Sequence, residues 1–370
     1  MLPLKDKQTN MKIAQISPLY ESVPPKLYGG TERVVSYLTE ELVRQGHDVT
    51  LFASGDSKTN AKLVSLTEDA LRLKDVQDPL AHHIAQMQEV IEHAHEFDVM
   101  HFHTDYLHFP FSSLLNKPHL TTLHGRLDIP DLVYVYHKFK KQPLVSISDS
   151  QRKGMPVDVN WIGTVYHGLP LDLYRKGEGD GDYVAFIGRI SPEKRPDRAI
   201  QIAKEAGIKI KIAAKIDTAD EDYYQRMIKQ LMEQPHVEFI GEIGEDRKGE
   251  FLGKAKALLF PIDWPEPFGM VMIEAMACGT PVIAYNHGSV PEVIDKGESG
   301  FIVDNVAESV RALENIDLID RNKVRETFEK RFSTGVMARN YMELYQSLIP
   351  STKKLVFISK ELKNQVRSLS

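Results

Sequence analysis

The sequence predicts an α/β protein built as two doubly wound parallel-sheet domains that face each other across a central cleft. Three observations carry that prediction. The chain has 370 residues, too many for one ordinary core and suited to two domains of roughly 100–200 residues each. Short apolar runs alternate with amphipathic helical patterns, as in a parallel sheet covered on both faces. The alternation breaks at a polar, glycine-rich stretch, 172–182, and then begins again.

In the first series the spacing predicts a strand at 12–16, then a helix at 31–45 with Val34, Val35, Leu38, Leu42 and Val43 on one face. A strand at 49–53 follows, a helix at 80–95, and strands at 99–102, 120–123 and 144–147. The second series predicts strands at 183–187, 208–213, 237–240, 257–260 and 281–284. Its helices fall at 195–206, 220–232, 247–254 and 269–276. Gly177, Gly179 and Gly181 between the series read as a hinge. Sheets of this kind bind ligands at the carboxyl ends of their strands, so the cleft is the expected site.

Composition narrows the function. Lys and Arg number 46 against 52 Asp and Glu, a net charge of −6, which excludes a broadly basic nucleic-acid binder. Cys278 is the only cysteine, so there is no disulfide framework and no cysteine zinc site. The first ten residues are polar and do not read as a signal peptide. No apolar stretch approaches the roughly 18–20 residues that span a bilayer. The expectation is a cytoplasmic enzyme. The basic tail 351–370 reads as a terminal helix packed on the body, with a membrane-surface helix at the inner face as the alternative.

Three motifs carry chemistry. Gly29-Gly30 precedes the helix that begins Thr31-Glu32, so backbone and helix N-terminus offer N–H groups to a phosphate. The spacing is not that of a dinucleotide fingerprint, and a simple turn is the competing reading. Gly188-Arg189 and Glu193-Lys194 lie on one strand-to-helix loop. The two cations are within reach of one diphosphate, although surface charges on a solvated loop read the same way. The most informative segment holds Glu266 on a Pro- and Gly-containing loop and Glu274, eight residues on, inside the following helix. Two carboxylates beside a helix N-terminus suit recognition of hydroxyls next to an anion.

Histidines crowd the first half. His101 and His103 alternate on one face of a strand end. No acidic cluster completes a metal site around them, so His101, His103 and Asp105 read as acceptor contacts in the cleft. The basic patch at 134–141 reads as a solvated helix face.

The Glu266-to-Glu274 segment resembles the E-x7-E signature of retaining glycosyltransferases of family 4, which have the GT-B fold. The Gly29-Gly30 loop, Leu123-His124-Gly125, the Gly188-Arg189 to Glu193-Lys194 loop and Thr280-Pro281-Val282 fall in the family's order. The resemblance runs from Lys12 to Tyr345. It implies an acceptor-binding Rossmann-like domain at 11–176 and a sugar-nucleotide-binding one at 177–335. A helical segment at 336–370 would cross back to the first domain.

By the same resemblance Glu274 holds ribose hydroxyls and Glu266 contacts the transferred sugar. The backbone of Phe268, Gly269, Met270 and Val271 holds sugar and diphosphate, and Arg189 and Lys194 neutralise the departing diphosphate. Gly29, Gly30 and Gly188 approach the donor, Ile243 lies near the base, and His124 sits beside the sugar. The implied reaction moves a hexosyl group from a UDP- or GDP-sugar to an acceptor hydroxyl with retention, in cell-envelope polysaccharide or glycoconjugate synthesis. The acceptor is a saccharide, a lipid-linked group or a small metabolite. No metal or resident cofactor is expected. One departure stands out: His167-Gly168-Leu169-Pro170 replaces the family's Asn-Gly-[Ile/Val]-Asp. A nucleotide-sugar epimerase, a phosphorylase-like enzyme and a catalytically silent binding protein are the rival readings.

Overall fold

The computed structural model describes residues 10–26, 29–74 and 76–350. The readings of the chain start and of the tail 351–370 lie outside the described residues.

The first domain runs β1 (Lys12–Ile16), α1 (Gly30–Arg44), β2 (Asp48–Phe52), β3 (Lys62–Val64), α2 (Pro79–His93), β4 (Val99–Phe102), β5 (His119–Thr122), β6 (Leu144–Ser146) and β7 (Trp161–Thr164). The second runs β8 (Tyr183–Arg189), α3 (Pro196–Glu205), β9 (Lys209–Lys215), β10 (Val237–Gly241), α4 (Glu245–Lys254), β11 (Leu258–Phe260), α5 (Met270–Ala277), β12 (Val282–Tyr285), β13 (Gly300–Val303), α6 (Val306–Glu314), α7 (Arg321–Arg331) and α8 (Thr334–Leu348).

Both sheets are wholly parallel, in the orders β3-β2-β1-β4-β5-β6-β7 and β10-β9-β8-β11-β12-β13. Burial on both faces explains the near-continuous apolar runs of the central strands: β4, β11 and β12 are buried throughout. α1 covers its sheet with Val34, Val35, Leu38 and Leu42, the stripe its spacing predicts. The edge strands β3, β7 and β13 were not predicted. They are three or four residues long, and their residues are mostly half-buried; β3 and β7 carry no run of three apolar residues, whereas β13 carries one in Phe301-Ile302-Val303. The predicted helix at 220–232 exists but is interrupted by a π-helical turn, Tyr224–Ile228.

Strand order reverses direction between β1 and β4 in one sheet and between β8 and β11 in the other. Such switch points open a crevice at the carboxyl ends of the strands. The loops leaving β1, β4, β8 and β11 therefore border the ligand-binding region of each domain.

The glycine-rich junction is not a loose hinge. The N–H groups of Gly177, Gly179 and Gly181 donate to the carbonyls of Cys278, Gly253 and Lys254 at 2.9, 3.0 and 2.9 Å. The Arg321 guanidinium adds bonds to the carbonyls of Gly177, Ala255 and Gly253 at 2.9, 3.1 and 2.9 Å. A Cβ on Gly177 would lie 2.3 Å from the Gly253 carbonyl oxygen. Glycine is required here because two backbones touch. This pins 177–181 to the second domain and corrects the expectation of a moving hinge there.

The chain passes between domains at two adjoining places. Leu169 bridges Ser333 in parallel. The Leu169 N–H donates to Phe332 O, and the Thr334 N–H donates to Leu169 O, both at 2.9 Å. Beyond this bridge α8 packs on α1. Its Tyr341 and Tyr345 are fully buried and bond to residues of the first domain. Among the described residues no helix is long and apolar enough to cross a membrane.

Candidate active site

β11 ends at Phe260 and the chain turns through 263–269 before α5 begins. Gly269, in the left-handed region at φ 75°, caps that helix. The first turn of α5, Met270 and Val271 included, has N–H groups without intrahelical partners. Phe268 is buried just before it. Glu274 sits in the second turn, so α5 carries an anion-receptive N-terminus and a carboxylate on one short element.

Each carboxylate has a cation. Lys194 pairs with Glu266, and the Trp264 indole N–H donates to the same carboxylate oxygen at 3.0 Å. Lys194 also lies 5.2 Å from the Trp264 ring centre. Lys248, on α4, pairs with Glu274 at 2.7 Å. Both pairs are largely buried. Pairing offsets the loss of hydration that each charge would otherwise bear. Arg189, the last residue of β8, pairs with Glu193 at 2.7 Å and with Asp220 at 3.4 Å. Gly188 adjoins Lys194: a Cβ there would lie 3.9 Å from Lys194 Cγ. Every cation expected to meet a diphosphate is thus balanced by a carboxylate that an incoming anion can replace.

The first domain closes over these groups. Arg33 donates to Glu245 at 2.7 Å, and the Tyr37 hydroxyl also donates to Glu245. Burial, with Glu245 beside it, raises the Tyr37 phenol well above its ordinary range. On the opposite side, Glu292 accepts from the N–H groups of Asp149 and Ser150 at 2.7 and 2.6 Å and from Tyr166 Oη at 3.1 Å. Ser148 Oγ donates to Pro267 O at 2.6 Å. Gly29 precedes α1, and a Cβ on Gly30 would meet nothing within 4 Å, so Gly30 fronts open space. Burial pushes the neighbouring Glu32 carboxyl up to about 7. Ile243 lies buried between β10 and α4.

His124 follows β5 and stacks on His167, with ring centres 5.2 Å apart. His167 meets Phe268 edge-on at 4.9 Å. The departure from the family motif at His167 therefore joins His124 to the loop that precedes α5. Burial lowers His124 to about 3 and holds His167 well below the usual imidazole range. Both rings are neutral at physiological pH. His101 and His103 do share a face, with ring centres 3.9 Å apart. They are not cleft contacts, however: their exposures are 0% and 2%. α8 covers His101 and Gln15 bonds His103, which corrects their reading as acceptor residues. Asp105 is exposed, in the left-handed region at φ 49°.

Lys248, Glu245, Glu292 and Gly288 were not singled out in the sequence. Gly288 has φ 58°, and a Cβ there would lie 2.3 Å from Glu266 N and 2.4 Å from Glu266 O. Only glycine lets this loop press on the backbone of Glu266. Gly288→Ala is expected to destabilise the protein by about 2–3 kcal/mol, through left-handed strain and displaced backbone, and to move Glu266 off Lys194. Urea unfolding checks this, and an unchanged midpoint would show that the loop yields freely.

Two family models match the chain: Glycosyltransferase Family 4 over residues 28–152 and Glycosyl transferases group 1 over residues 175–332. The D-inositol 3-phosphate glycosyltransferase of Mycolicibacterium smegmatis is 30% identical over 193 residues, 48% of this chain and 43% of that protein. The match thus spans less than half of that relative's length. An uncharacterized glycosyltransferase of Methanocaldococcus jannaschii is 25% identical over 91% of this chain and 98% of its own. Among solved structures, sucrose-phosphate synthase from Thermosynechococcus elongatus superimposes with TM-score 0.74 at 19% identity, over 92% of this chain and 99% of that one. Anabaena HepE, crystallised with UDP-glucose, gives TM-score 0.70 at 18% identity, over 91% of this chain and 100% of that one. These likenesses are likenesses of fold, the two-domain GT-B arrangement.

Proposed function

The chain belongs to the group 1 glycosyltransferases, and from that premise we propose that it transfers a hexosyl group from a UDP- or GDP-sugar to an acceptor hydroxyl with retained anomeric configuration. The observation that carries this reading is the paired set Lys194–Glu266 and Lys248–Glu274 around the start of α5. Cations balanced by carboxylates, beside free helix N–H groups, match a ligand that carries both a diphosphate and hydroxyls.

In this reading the donor diphosphate lies against the α5 N-terminus and draws Lys194 and Arg189 toward it. Glu266, released, accepts hydrogen bonds from the sugar, and Glu274 accepts from the ribose. The glycosidic C–O bond to the diphosphate breaks as the acceptor oxygen approaches from the same face. The departing phosphate oxygen takes the acceptor's proton. Positioning and electrostatic stabilisation of the leaving group supply the rate. The two cations take the part a divalent metal could have, so no resident metal or cofactor is required. Neutral His124 gives or takes one hydrogen bond but adds no charge. The acceptor enters over the first domain, and saccharide, lipid-linked or small-metabolite acceptors at the cell envelope fit this reading.

The test is incubation with UDP-glucose, UDP-galactose, UDP-N-acetylglucosamine and GDP-mannose, with and without simple saccharide acceptors. Nucleoside diphosphate release with an axial product linkage by NMR supports the proposal. An isomerised sugar nucleotide would point to an epimerase. Failure of every donor to raise the melting temperature would point to a silent fold.

A further inference from the structure

A line of buried hydrogen bonds runs from the cleft through the first domain to α8. His124 Nε2 lies 2.9 Å from His103 Nδ1, and His103 Nε2 lies 2.8 Å from Gln15 Oε1. Gln15 Nε2 donates to Tyr345 Oη at 3.0 Å. Tyr345 Oη lies 2.7 Å from His101 Nδ1, and His101 Nε2 lies 2.7 Å from Thr122 Oγ1. Thr122 Oγ1 reaches Tyr341 Oη at 2.9 Å. Gln15, His101, His103, Thr122, Tyr341 and Tyr345 are all buried.

Proton positions follow from the chemistry of each atom. A carbonyl oxygen only accepts, so His103 donates from Nε2 to Gln15. A neutral imidazole carries one N–H, so His103 Nδ1 is a lone pair. His124 must then donate from Nε2, which leaves its own Nδ1 as a lone pair. The other arm has the same logic. Tyr345 accepts from Gln15 and gives its proton to His101 Nδ1, so His101 donates from Nε2 to Thr122. Burial keeps His101 and His103 well below the usual imidazole range, consistent with an all-neutral line.

The cleft end is unfinished. His124 Nδ1 is buried with no hydrogen-bond partner among the described residues, and so is His167 Nδ1 on the ring stacked against it. A buried lone pair without a donor costs free energy until one arrives. Reversing the line requires the Gln15 amide to turn over and both of its arms to follow. His124 would then bury an unpaired N–H donor at Nδ1.

We propose that Gln15, His103 and Tyr345 are positioning residues that hold His124 as its Nε2–H tautomer, so that its Nδ1 lone pair stands ready for a hydroxyl of the bound substrate. The identity of that hydroxyl rests on the glycosyl-transfer reading; the tautomer does not.

Long-range ¹H–¹⁵N spectra of the imidazole-labelled full chain read the tautomer directly. The wild type is expected to show His124 protonated at Nε2. Gln15→Leu and Tyr345→Phe are each expected to mix His124 tautomers and to lower kcat about tenfold, the worth of one hydrogen bond, with donor KM within twofold. Two variants are used because Gln15→Leu alone could disturb folding. Protonation of wild-type His124 at Nδ1 overturns the proposal, as does a wild-type spectrum with wild-type kcat in both variants. If the tautomers behave as expected while the wild type turns over no sugar nucleotide, the positioning line stands and the glycosyl-transfer reading falls.

Discussion

Lys194→Ala is expected to cut turnover by about two to three orders of magnitude while the fold persists. Removing one well-placed electrostatic partner of developing charge costs about 2.7–4 kcal/mol of transition-state stabilisation. Lys194 is that partner in the proposed reaction, because the leaving diphosphate gains charge as its bond to the sugar breaks. The free protein should also melt earlier, because Glu266 is left largely buried without its cation. Glu266 keeps the Trp264 N–H at 3.0 Å. The measurement is nucleoside diphosphate release under saturating donor, with circular dichroism and thermal melting to verify the fold. Lys194→Arg, which keeps the charge, should recover part of the rate. Unchanged kcat in Lys194→Ala, with an intact fold, removes Lys194 from the mechanism.

Glu274→Gln is expected to act on binding instead. Glutamine keeps an acceptor but loses the charge that strengthens a bond to a ribose hydroxyl. Charge-assisted bonds are worth about 1.5–3 kcal/mol, so the Kd for the nucleoside diphosphate should rise about 10- to 100-fold, with kcat at saturation changed far less. Lys248 also loses its counter-charge across 2.7 Å, so the variant should melt earlier. Calorimetric titration with UDP and GDP separates these effects. An unchanged Kd for whichever nucleotide binds the wild type would take Glu274 out of the ribose site. Together the two variants split catalysis from binding: one lowers kcat and the other raises Kd.

Much of this architecture was legible because it is local. Glu266 and Glu274 could be placed on a loop and a helix from proline, glycine and the apolar run between them. The central strands announced themselves because both of their faces are covered. The contacts missing from that reading are those that only folding creates. Lys248 meets Glu274 because α4 packs on α5. Gly288 matters because its loop touches Glu266, and nothing in the local composition points there. His101 and His103 were placed on one face correctly, yet their role was misread. The face is closed by Tyr345, which lies 244 residues from His101, and no periodicity reports such a partner. Gly177–Gly181 was misread for the same reason. A glycine-rich stretch looks loose in one dimension, whereas here glycine permits two backbones to touch.

The return of α8 to the first domain has a consequence for biosynthesis. The half of the protein made first cannot finish its own interior. When β1, β4 and β5 have left the ribosome, Gln15, His101 and Thr122 still lack the tyrosine hydroxyls that complete their hydrogen bonds. At about 5–20 residues per second, the 244 residues from His101 to Tyr345 take on the order of 10–50 s to synthesise. For that interval the nascent domain carries an open polar seam. Its final locking therefore waits for α8.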